Sequence, residues 1–244
     1  MVDRVIFEVF RFSPEEDREP HFDRFEVPYV KGMTVLSGLL YIQAKLDGSL
    51  GLRFACRAGI CGSCAMHING MYRLACETQI SMLGDLVRVR PLGHLPIIRD
   101  LVVDMTEFWN KYKLIKPYLI HSKSIPEKEF LQSVDQRDKL TRIIDCILCG
   151  ACYAACPIVE THKDYIGPHA FAKANRFVRD SRDEGTYERL RIVGEDNGVF
   201  RCHTVFSCQE VCPKDINPSG SIAELKMLTT KASFKCFDDS KLKD

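Results

Sequence analysis

The sequence predicts an α+β fold in which a small sheet around one helix precedes a mainly helical second half. Three observations support this prediction. Apolar and polar residues alternate in several short segments of the first 90 residues, as in strands buried on one face. Beyond about residue 139 the apolar residues recur at helical spacing, and a polar, proline-containing stretch separates the two patterns. At 244 residues the chain can form two modest domains, which we place at residues 1–105 and 106–244.

The first half begins with two predicted strands. Alternation runs over residues 2–12 and again over 22–29, which indicates a pair of neighbouring strands. A helix should follow, since the Thr34 hydroxyl can cap its first turn and Gly48 can end it. Its apolar face consists of residues at helical spacing: Val35, Leu39, Ile42 and Leu46.

A hairpin and a final strand complete this half. Asn69-Gly70 is a two-residue hairpin signal between residues 65–68 and 72–75. Residues 86–90 alternate once more before Pro91. After this strand, residues 101–112 have a helical pattern, and a polar stretch then links the domains. The later helical segments carry apolar residues three or four apart: Phe171, Ala174, Phe177, Ile222, Leu225 and Leu228.

The composition excludes several function classes. The chain has 34 Lys and Arg residues against 33 Asp and Glu, a net charge of +1. It lacks the basic field that holds a phosphate backbone, so we expect no nucleic-acid partner. No apolar run approaches the roughly 18 residues of a membrane span, and the first residues do not form a secretory signal. No two glycines stand two apart, so the dinucleotide fingerprint G-x-G-x-x-G is absent.

Twelve cysteines stand out, and they lie in two groups. Four fall between residues 56 and 76 and seven between 146 and 212, while Cys236 is expected to be a spare thiol. Disulfide frameworks spread cysteines to close long loops, whereas metal ligands recur at short fixed spacings. The distribution therefore indicates metal ligands.

The first group lies in a glycine-containing loop outside the predicted strands. Gly59 and Gly62 let the main chain fold closely over a cluster, so that N–H groups can point at its sulfurs. A dithiol redox pair or a structural zinc site is the alternative, but neither explains the cysteine at position 56. The spacing C-x4-C-x2-C with a distant fourth cysteine is the plant-type 2Fe-2S pattern, here formed by Cys56, Cys61, Cys64 and Cys76.

The second group contains the run C-x2-C-x2-C-x3-C-P, the bacterial ferredoxin pattern, whose fourth cysteine binds the other cluster of a pair. Shifting the numbering by 56 residues places this run on a second set, except that Cys149 falls on Val205. One set then has four thiolates and fits a 4Fe-4S cluster: Cys146, Cys149, Cys152 and Cys212. The other has three and fits a 3Fe-4S cluster: Cys156, Cys202 and Cys208.

Two alternatives remain for the second group. The three-cysteine site could hold a 4Fe-4S cluster with one open iron, although valine offers no replacement ligand. Zinc would not need seven cysteines in a repeat that keeps its register. Three one-electron centres in one chain indicate a path for electrons, and the absence of nucleotide motifs assigns the two-electron chemistry to another subunit.

Three segments resemble the iron–sulfur subunit of the succinate dehydrogenase and fumarate reductase family. They are the loop 56–64, the run 146–157 and the spaced set that ends in Cys212-Pro213. Residues 99–104 and Ile166-Gly167-Pro168 also match. The resemblance implies an N-terminal β-grasp 2Fe-2S ferredoxin domain followed by a mainly helical, bacterial-ferredoxin-like domain.

The resemblance also implies partners and cofactors. A flavoprotein subunit would carry the FAD at which succinate and fumarate interconvert, and one or more membrane anchor subunits would bind quinone, often with haem b. Electrons would pass between FAD and quinone through the 2Fe-2S, 4Fe-4S and 3Fe-4S clusters. The chain would be a peripheral membrane protein on the cytoplasmic face of the inner membrane, and no bond chemistry would take place on it.

In this family the quinone pocket lies against the 3Fe-4S cluster. Many ubiquinone-linked members have tryptophan a few residues after Cys-Pro, whereas residues 156–162 contain none. The resemblance therefore favours a menaquinone-linked fumarate reductase, with the iron–sulfur subunit of another respiratory flavoenzyme or a soluble ferredoxin carrier as alternatives. The residues that match the pocket's contributors are Pro157, His203, Val205 and Lys226, of which the histidine could donate a hydrogen bond or a proton.

Overall fold

The structure is a computed structural model that describes residues 4–15, 17–121 and 126–237, with side chains up to residue 233. It divides into two compact units. One is formed by Met1–Glu107 with Ile147–Ala155, and the other by Phe108–Cys146 with Cys156–Asp244. The domain boundary at residue 105 remains a proposal, but residues 147–155, which we assigned to the second domain, group with the first unit.

The first unit is built on a five-stranded mixed sheet. Its strands are β1 (Arg4–Arg11), β2 (His21–Pro28), β3 (Ala65–Ile68), β4 (Met71–Leu74) and β5 (Leu86–Arg90). Their order across the sheet is β2-β1-β5-β3-β4. Strand β1 runs antiparallel to β2 and parallel to β5, and β3 is antiparallel to both β4 and β5. The predicted strand segments are confirmed.

One helix, α1 (Val35–Tyr41), packs on β1 and continues as a π-helical turn over Ile42–Leu46. It begins where the sequence predicts, because the N–H of Ser37 donates to the Thr34 hydroxyl at 3.2 Å. Gly38 lies against the Phe7 ring, and a Cβ at this position would overlap that ring. The missing side chain therefore lets the helix lie close to the sheet.

Strands β3 and β4 form the predicted hairpin. Asn69 and Gly70 have φ angles of 44° and 88°, the left-handed values of a type I′ turn. The Asn69 side chain also bonds the neighbouring strand, accepting from the N–H of Arg88 at 2.6 Å and donating to the Leu86 carbonyl at 2.8 Å. The hairpin signal is confirmed, with β4 one residue earlier than predicted.

The predicted helix over residues 101–112 is wrong at its start. Val102–Val103 form a short strand, β7, which pairs with β6 (Ile97–Arg99). Helix α2 (Thr106–Leu114) begins only after Asp104, whose carboxylate accepts from the N–H and the hydroxyl of Thr106 at 2.8 and 2.6 Å. This carboxylate satisfies the free donors of the first turn and so fixes the helix start.

A buried charge network fixes the segment that leads into the first cysteine loop. The Asp100 side chain accepts from Nε of Arg11 at 3.1 Å and from the N–H of Gly51 at 2.7 Å. Arg11 also bonds the Asp47 carboxylate and, at 2.7 Å, the Ser49 hydroxyl. Hydrogen bonds from Ser49 and Arg11 lower the pKa of Asp47 to about 2. The loop after α1 is thereby tied to β1.

The second unit is helical. Its longer helices are α6 (Pro168–Val178), α7 (Thr186–Gly194) and α9 (Pro218–Phe237), and its shorter ones are α3 (Val134–Asp138), α5 (Pro157–Thr161) and α8 (Ser207–Glu210). Helix α6 packs against α7 and α9. Phe171, Ala174 and Leu225 on these helices are fully buried, as the apolar spacing predicts. Within the described ranges, no helix is both long and apolar enough to cross a bilayer.

Candidate metal centres

The first cysteine loop directs its main-chain N–H groups at its own sulfurs. The N–H groups of Ala58, Ile60 and Cys61 donate to Sγ of Cys56 at 3.4, 3.3 and 3.2 Å. That of Gly59 donates to Sγ of Cys76 at 3.3 Å. Donors aimed at sulfur stabilise negative charge on it, which is what thiolate ligands of an iron–sulfur cluster require. The loop therefore fits the cluster that its spacing predicts.

The thiols of this loop differ in how easily they ionise. Hydrogen bonds from the Ser63 hydroxyl and from the N–H groups of Cys56 and Ser63 lower the pKa of Cys61 to about 6. Burial raises the pKa of Cys64 to about 12, and Cys76 beside it acts in the same direction. The structure brings these predicted ligands together, with one side of the group in water and the other buried.

Gly62 marks the closest approach in this region. Its φ is 72°, and a Cβ here would lie 2.8 Å from both Cα and Cβ of Cys149. The short helix α4 (Ala151–Ala154), just beyond Cys149, packs against β4. These contacts explain why residues 147–155 group with the first unit, and they leave room only for glycine at position 62.

Gly62→Ala is expected to remove most of the 2Fe-2S cluster. The left-handed φ costs about 1–2 kcal/mol for alanine, and overlap with a rigid main chain costs about 1–3 kcal/mol more. Spin counting of the reduced 2Fe-2S signal by EPR measures the loss. Gly84→Ala is the matched control, because φ is 81° there but nothing lies within 4 Å of a Cβ. Equal cluster content in both variants would contradict the steric argument.

The second cysteine group repeats in three dimensions with the register found in the sequence. The 3-10 turn Ile143–Asp145 recurs as Val199–Arg201, and helix α4 recurs as α8, each 56 residues later. Cys146 and Cys202, which follow the two turns, have φ/ψ of −61°/116° and −69°/121°. The predicted repeat is therefore present in the main chain.

The same repeat extends over the position where a ligand is replaced. Leu148 and Gly150, on either side of Cys149, have φ of 53° and 83°. Thr204 and Phe206, on either side of Val205, have φ of 58° and 67°. Non-glycine residues rarely adopt such angles. The main chain at Val205 thus has the shape of a ligand loop and lacks only the thiol.

Three cysteines of the second unit meet at one pocket with about 350 Å³ of empty space: Cys156, Cys202 and Cys208. Burial and the other two sulfurs raise the pKa of Cys208 to about 12. Three of the four residues predicted to bind quinone line the same pocket: Pro157, His203 and Val205. The fourth, Lys226, stands outside the lining, and its Nζ donates to the main-chain carbonyl of Cys202 at 2.9 Å.

Tyr165 also lines this pocket, and the sequence analysis missed it. It is 1% exposed, and its hydroxyl is hydrogen-bonded to the Cys202 side chain. Burial, and then the nearby sulfurs, raise the pKa of Tyr165 above its ordinary value. A single tyrosine has no spacing signal, and its place just before Ile166-Gly167-Pro168 was the only indication available.

The remaining cysteines are assigned by spacing. Cys149 and Cys152 belong to the first unit and Cys146 and Cys212 to the second, and their common 4Fe-4S assignment stays a prediction. Cys236 lies outside the residues whose side chains are described. Among the described residues, no three His, Cys, Asp or Glu side chains converge as they would around a single metal ion.

Two family models match the chain in succession. Residues 6–110 match a 2Fe-2S iron-sulfur cluster binding domain. Residues 142–216 match a 4Fe-4S dicluster domain. The first range contains the first cysteine group, and the second contains the whole repeat.

Curated relatives extend this similarity to nearly the full chain. The succinate dehydrogenase iron–sulfur subunit of Coxiella burnetii is 43% identical over 225 residues, which cover 91% of this chain and 95% of that one. The fumarate reductase iron–sulfur subunit of Mycobacterium tuberculosis is 39% identical over 238 residues, or 96% of each chain. The chain belongs to the family of succinate dehydrogenase and fumarate reductase iron–sulfur subunits.

The fold of the family is confirmed by a solved structure. A chain of the Mycobacterium smegmatis Sdh1 complex in the apo form superposes with a TM-score of 0.87 at 26% identity, covering 95% of this chain and 97% of that one. The predicted α+β class, with a 2Fe-2S domain before a helical 4Fe-4S domain, is confirmed. So is the prediction that the chain is the iron–sulfur subunit of an oxidoreductase. Relatives with both names match, so the family does not by itself give the direction of the reaction.

Proposed function

We propose that the chain carries electrons between the FAD of a flavoprotein subunit and quinone, within a membrane-bound, menaquinone-linked fumarate reductase. The observation that carries this proposal is the shared pocket of the second unit. It contains three cysteines that suit a terminal cluster and, on the same walls, three residues suited to quinone. A cluster and its electron acceptor would lie side by side there.

The ligand sets follow the cysteine spacing. When bound, the clusters supply one-electron transfer, with a potential that depends on hydrogen bonds to sulfur, on charge and on solvent exposure. The protein controls each of these factors, through the N–H donors of the first loop and the burial of the cysteines at the pocket. The sets are Cys56, Cys61, Cys64 and Cys76 for 2Fe-2S; Cys146, Cys149, Cys152 and Cys212 for 4Fe-4S; and Cys156, Cys202 and Cys208 for 3Fe-4S.

The pocket residues would have distinct roles toward quinone. His203 is exposed at the pocket and can give a hydrogen bond or a proton to a quinone oxygen. Lys226 holds the loop of Cys202 through its carbonyl, and its positive charge favours the negative charge that develops on quinone. Pro157 and Val205 provide apolar walls. The absence of tryptophan from residues 156–162 supports the choice of menaquinone.

The proposal includes partner subunits. A flavoprotein with FAD would exchange electrons with the first cluster, and anchor subunits, with haem b in some members, would complete the quinone site. Val205 and Phe206 are 54% and 52% exposed beside the pocket, and an exposed apolar pair there supports contact with an anchor. The chain would then be held as a peripheral protein on the cytoplasmic face of the inner membrane.

The anaerobically purified complex should show, when oxidised, the near-isotropic EPR signal of a 3Fe-4S cluster, and it should turn over naphthoquinones faster than ubiquinone analogues. His203→Gln should lower kcat with quinone by about 100-fold, as expected when a general acid is lost, while the EPR signal stays unchanged. His21→Gln is the matched control, since His21 lies on β2 in the first unit.

Each part of this proposal has its own contrary result. A wild-type complex without the 3Fe-4S signal would remove the cluster assignment. Much faster turnover with ubiquinone analogues would remove the menaquinone assignment and leave the clusters in place. Equal kcat values for His203→Gln and His21→Gln would show that His203 does not act on quinone.

A further inference from the structure

Tyr165 places a phenol hydroxyl among three cysteine sulfurs. Its side chain lines the pocket of Cys156, Cys202 and Cys208, and its hydroxyl is bonded to the Cys202 side chain. A thiolate sulfur offers only lone pairs, so the tyrosine O–H is the donor. With 1% of the residue exposed, water cannot replace this hydrogen bond.

The loop that carries Tyr165 is held on several sides. The N–H of Tyr165 donates to the His162 carbonyl at 3.0 Å, and that of Ile166 donates to the Asn197 carbonyl at 3.1 Å. The His162 ring and the Asn197 side chain are hydrogen-bonded at 2.8 Å. The ring of Tyr165 also packs on Phe171, with 5.5 Å between the centroids. The hydroxyl is therefore fixed toward the sulfur before any cluster binds.

A hydrogen bond to a ligand sulfur withdraws negative charge from a cluster, and reduction adds negative charge to it. We propose that the Tyr165 hydroxyl is a positioning group that donates to Sγ of Cys202 and so raises the reduction potential of the 3Fe-4S cluster. The inference rests on the proposed function, because it needs that cluster. Its consequence is a terminal cluster that accepts an electron more readily than its three thiolates alone would allow.

Tyr165→Phe tests the inference, since it deletes only the hydroxyl. In the full complex, the equilibrium constant for reducing the 3Fe-4S cluster should fall about three- to tenfold, which is ~30–60 mV for a one-electron couple. An EPR-monitored redox titration measures this change. Electron–nuclear double resonance of the oxidised wild-type cluster should show an exchangeable proton that is lost in Tyr165→Phe. The KM for quinone should not change.

Tyr72→Phe is the matched control, because the Tyr72 hydroxyl accepts from the N–H of Gly93 in the first unit. It should leave the 3Fe-4S potential unaltered. The same potential in wild type and Tyr165→Phe would overturn the inference, as would a wild-type cluster without an exchangeable proton coupling. A raised KM at constant potential would also overturn it, since the hydroxyl would then act on quinone. A wild-type complex with no 3Fe-4S signal would instead contradict the proposed function.

Discussion

Val205→Cys should abolish the near-isotropic 3Fe-4S signal of the oxidised complex and raise the iron content by about one atom per chain. The reason is the register of the repeat, in which Val205 stands 56 residues after Cys149. A thiol at this position would give the site of Cys156, Cys202 and Cys208 the fourth ligand that a 4Fe-4S cluster requires.

The main chain supports this expectation beyond the sequence. Left-handed residues precede and follow Val205, as they do Cys149, so the side chains of both positions leave the chain in the same local geometry. Val205 lines the pocket of the three cysteines and is 54% exposed, so a smaller cysteine fits there without repacking. The variant changes the chemistry of one side chain and leaves the loop in place.

Two matched variants separate ligation from mere substitution. Val205→Ser is similar in size to the cysteine variant but should retain the 3Fe-4S signal, because iron in these clusters prefers thiolate. Phe206→Cys adds a thiol one position out of register in the same pocket, and it should also retain the signal. An undiminished signal in Val205→Cys, or equal losses in Val205→Cys and Phe206→Cys, would contradict the register argument.

The elements that the sequence predicts well are those with a strong local signal. The hairpin at Asn69-Gly70 needs two left-handed residues, and few residue pairs provide them. The helix that begins after Thr34 has a side-chain cap at its first turn. The start of α2 was placed too early because the pairing of Val102 with a distant strand leaves no trace in periodicity.

The candidate sites show the same division between local and long-range information. Cysteine spacing is local, so the repeat and its replaced ligand at Val205 follow from the sequence alone. The approach of Gly62 to Cys149 joins positions 87 residues apart, and no short pattern predicts it. Tyr165 likewise acquires its role only when folding brings it to Cys202.

Asp183→Asn should destabilise the second unit by about 3–5 kcal/mol, because it leaves the buried guanidinium of Arg189 without a counter-charge. Both side chains of this ion pair are fully buried, with Nη1 and Oδ1 2.5 Å apart. Asp183 also accepts from the N–H groups of Gly185 at 2.7 Å and Ile120 at 3.0 Å. The carboxylate therefore joins the start of α7 to the segment before residue 121.

Arg189 completes this connection by donating to the carbonyls of Ile115, Lys116 and Tyr118 at 3.0, 2.9 and 2.6 Å. With about 2–4 °C per kcal/mol for a chain of this size, the loss predicted for Asp183→Asn lowers Tm by about 6–20 °C. Calorimetry of the loaded full-length chain under argon measures it.

The nearby pair of Lys116 and Glu188 supplies the control, because the two side chains are 36% and 40% exposed. Solvent screens an exposed pair, so Glu188→Gln should leave Tm close to that of the wild type. Replacing both buried partners, in Asp183→Leu with Arg189→Met, should cost less than Asp183→Asn alone, since no buried charge is then left unpaired. If the double variant were the less stable of the two, the hydrogen bonds of Arg189 to the three carbonyls, and not its unpaired charge, would account for the stability of this segment.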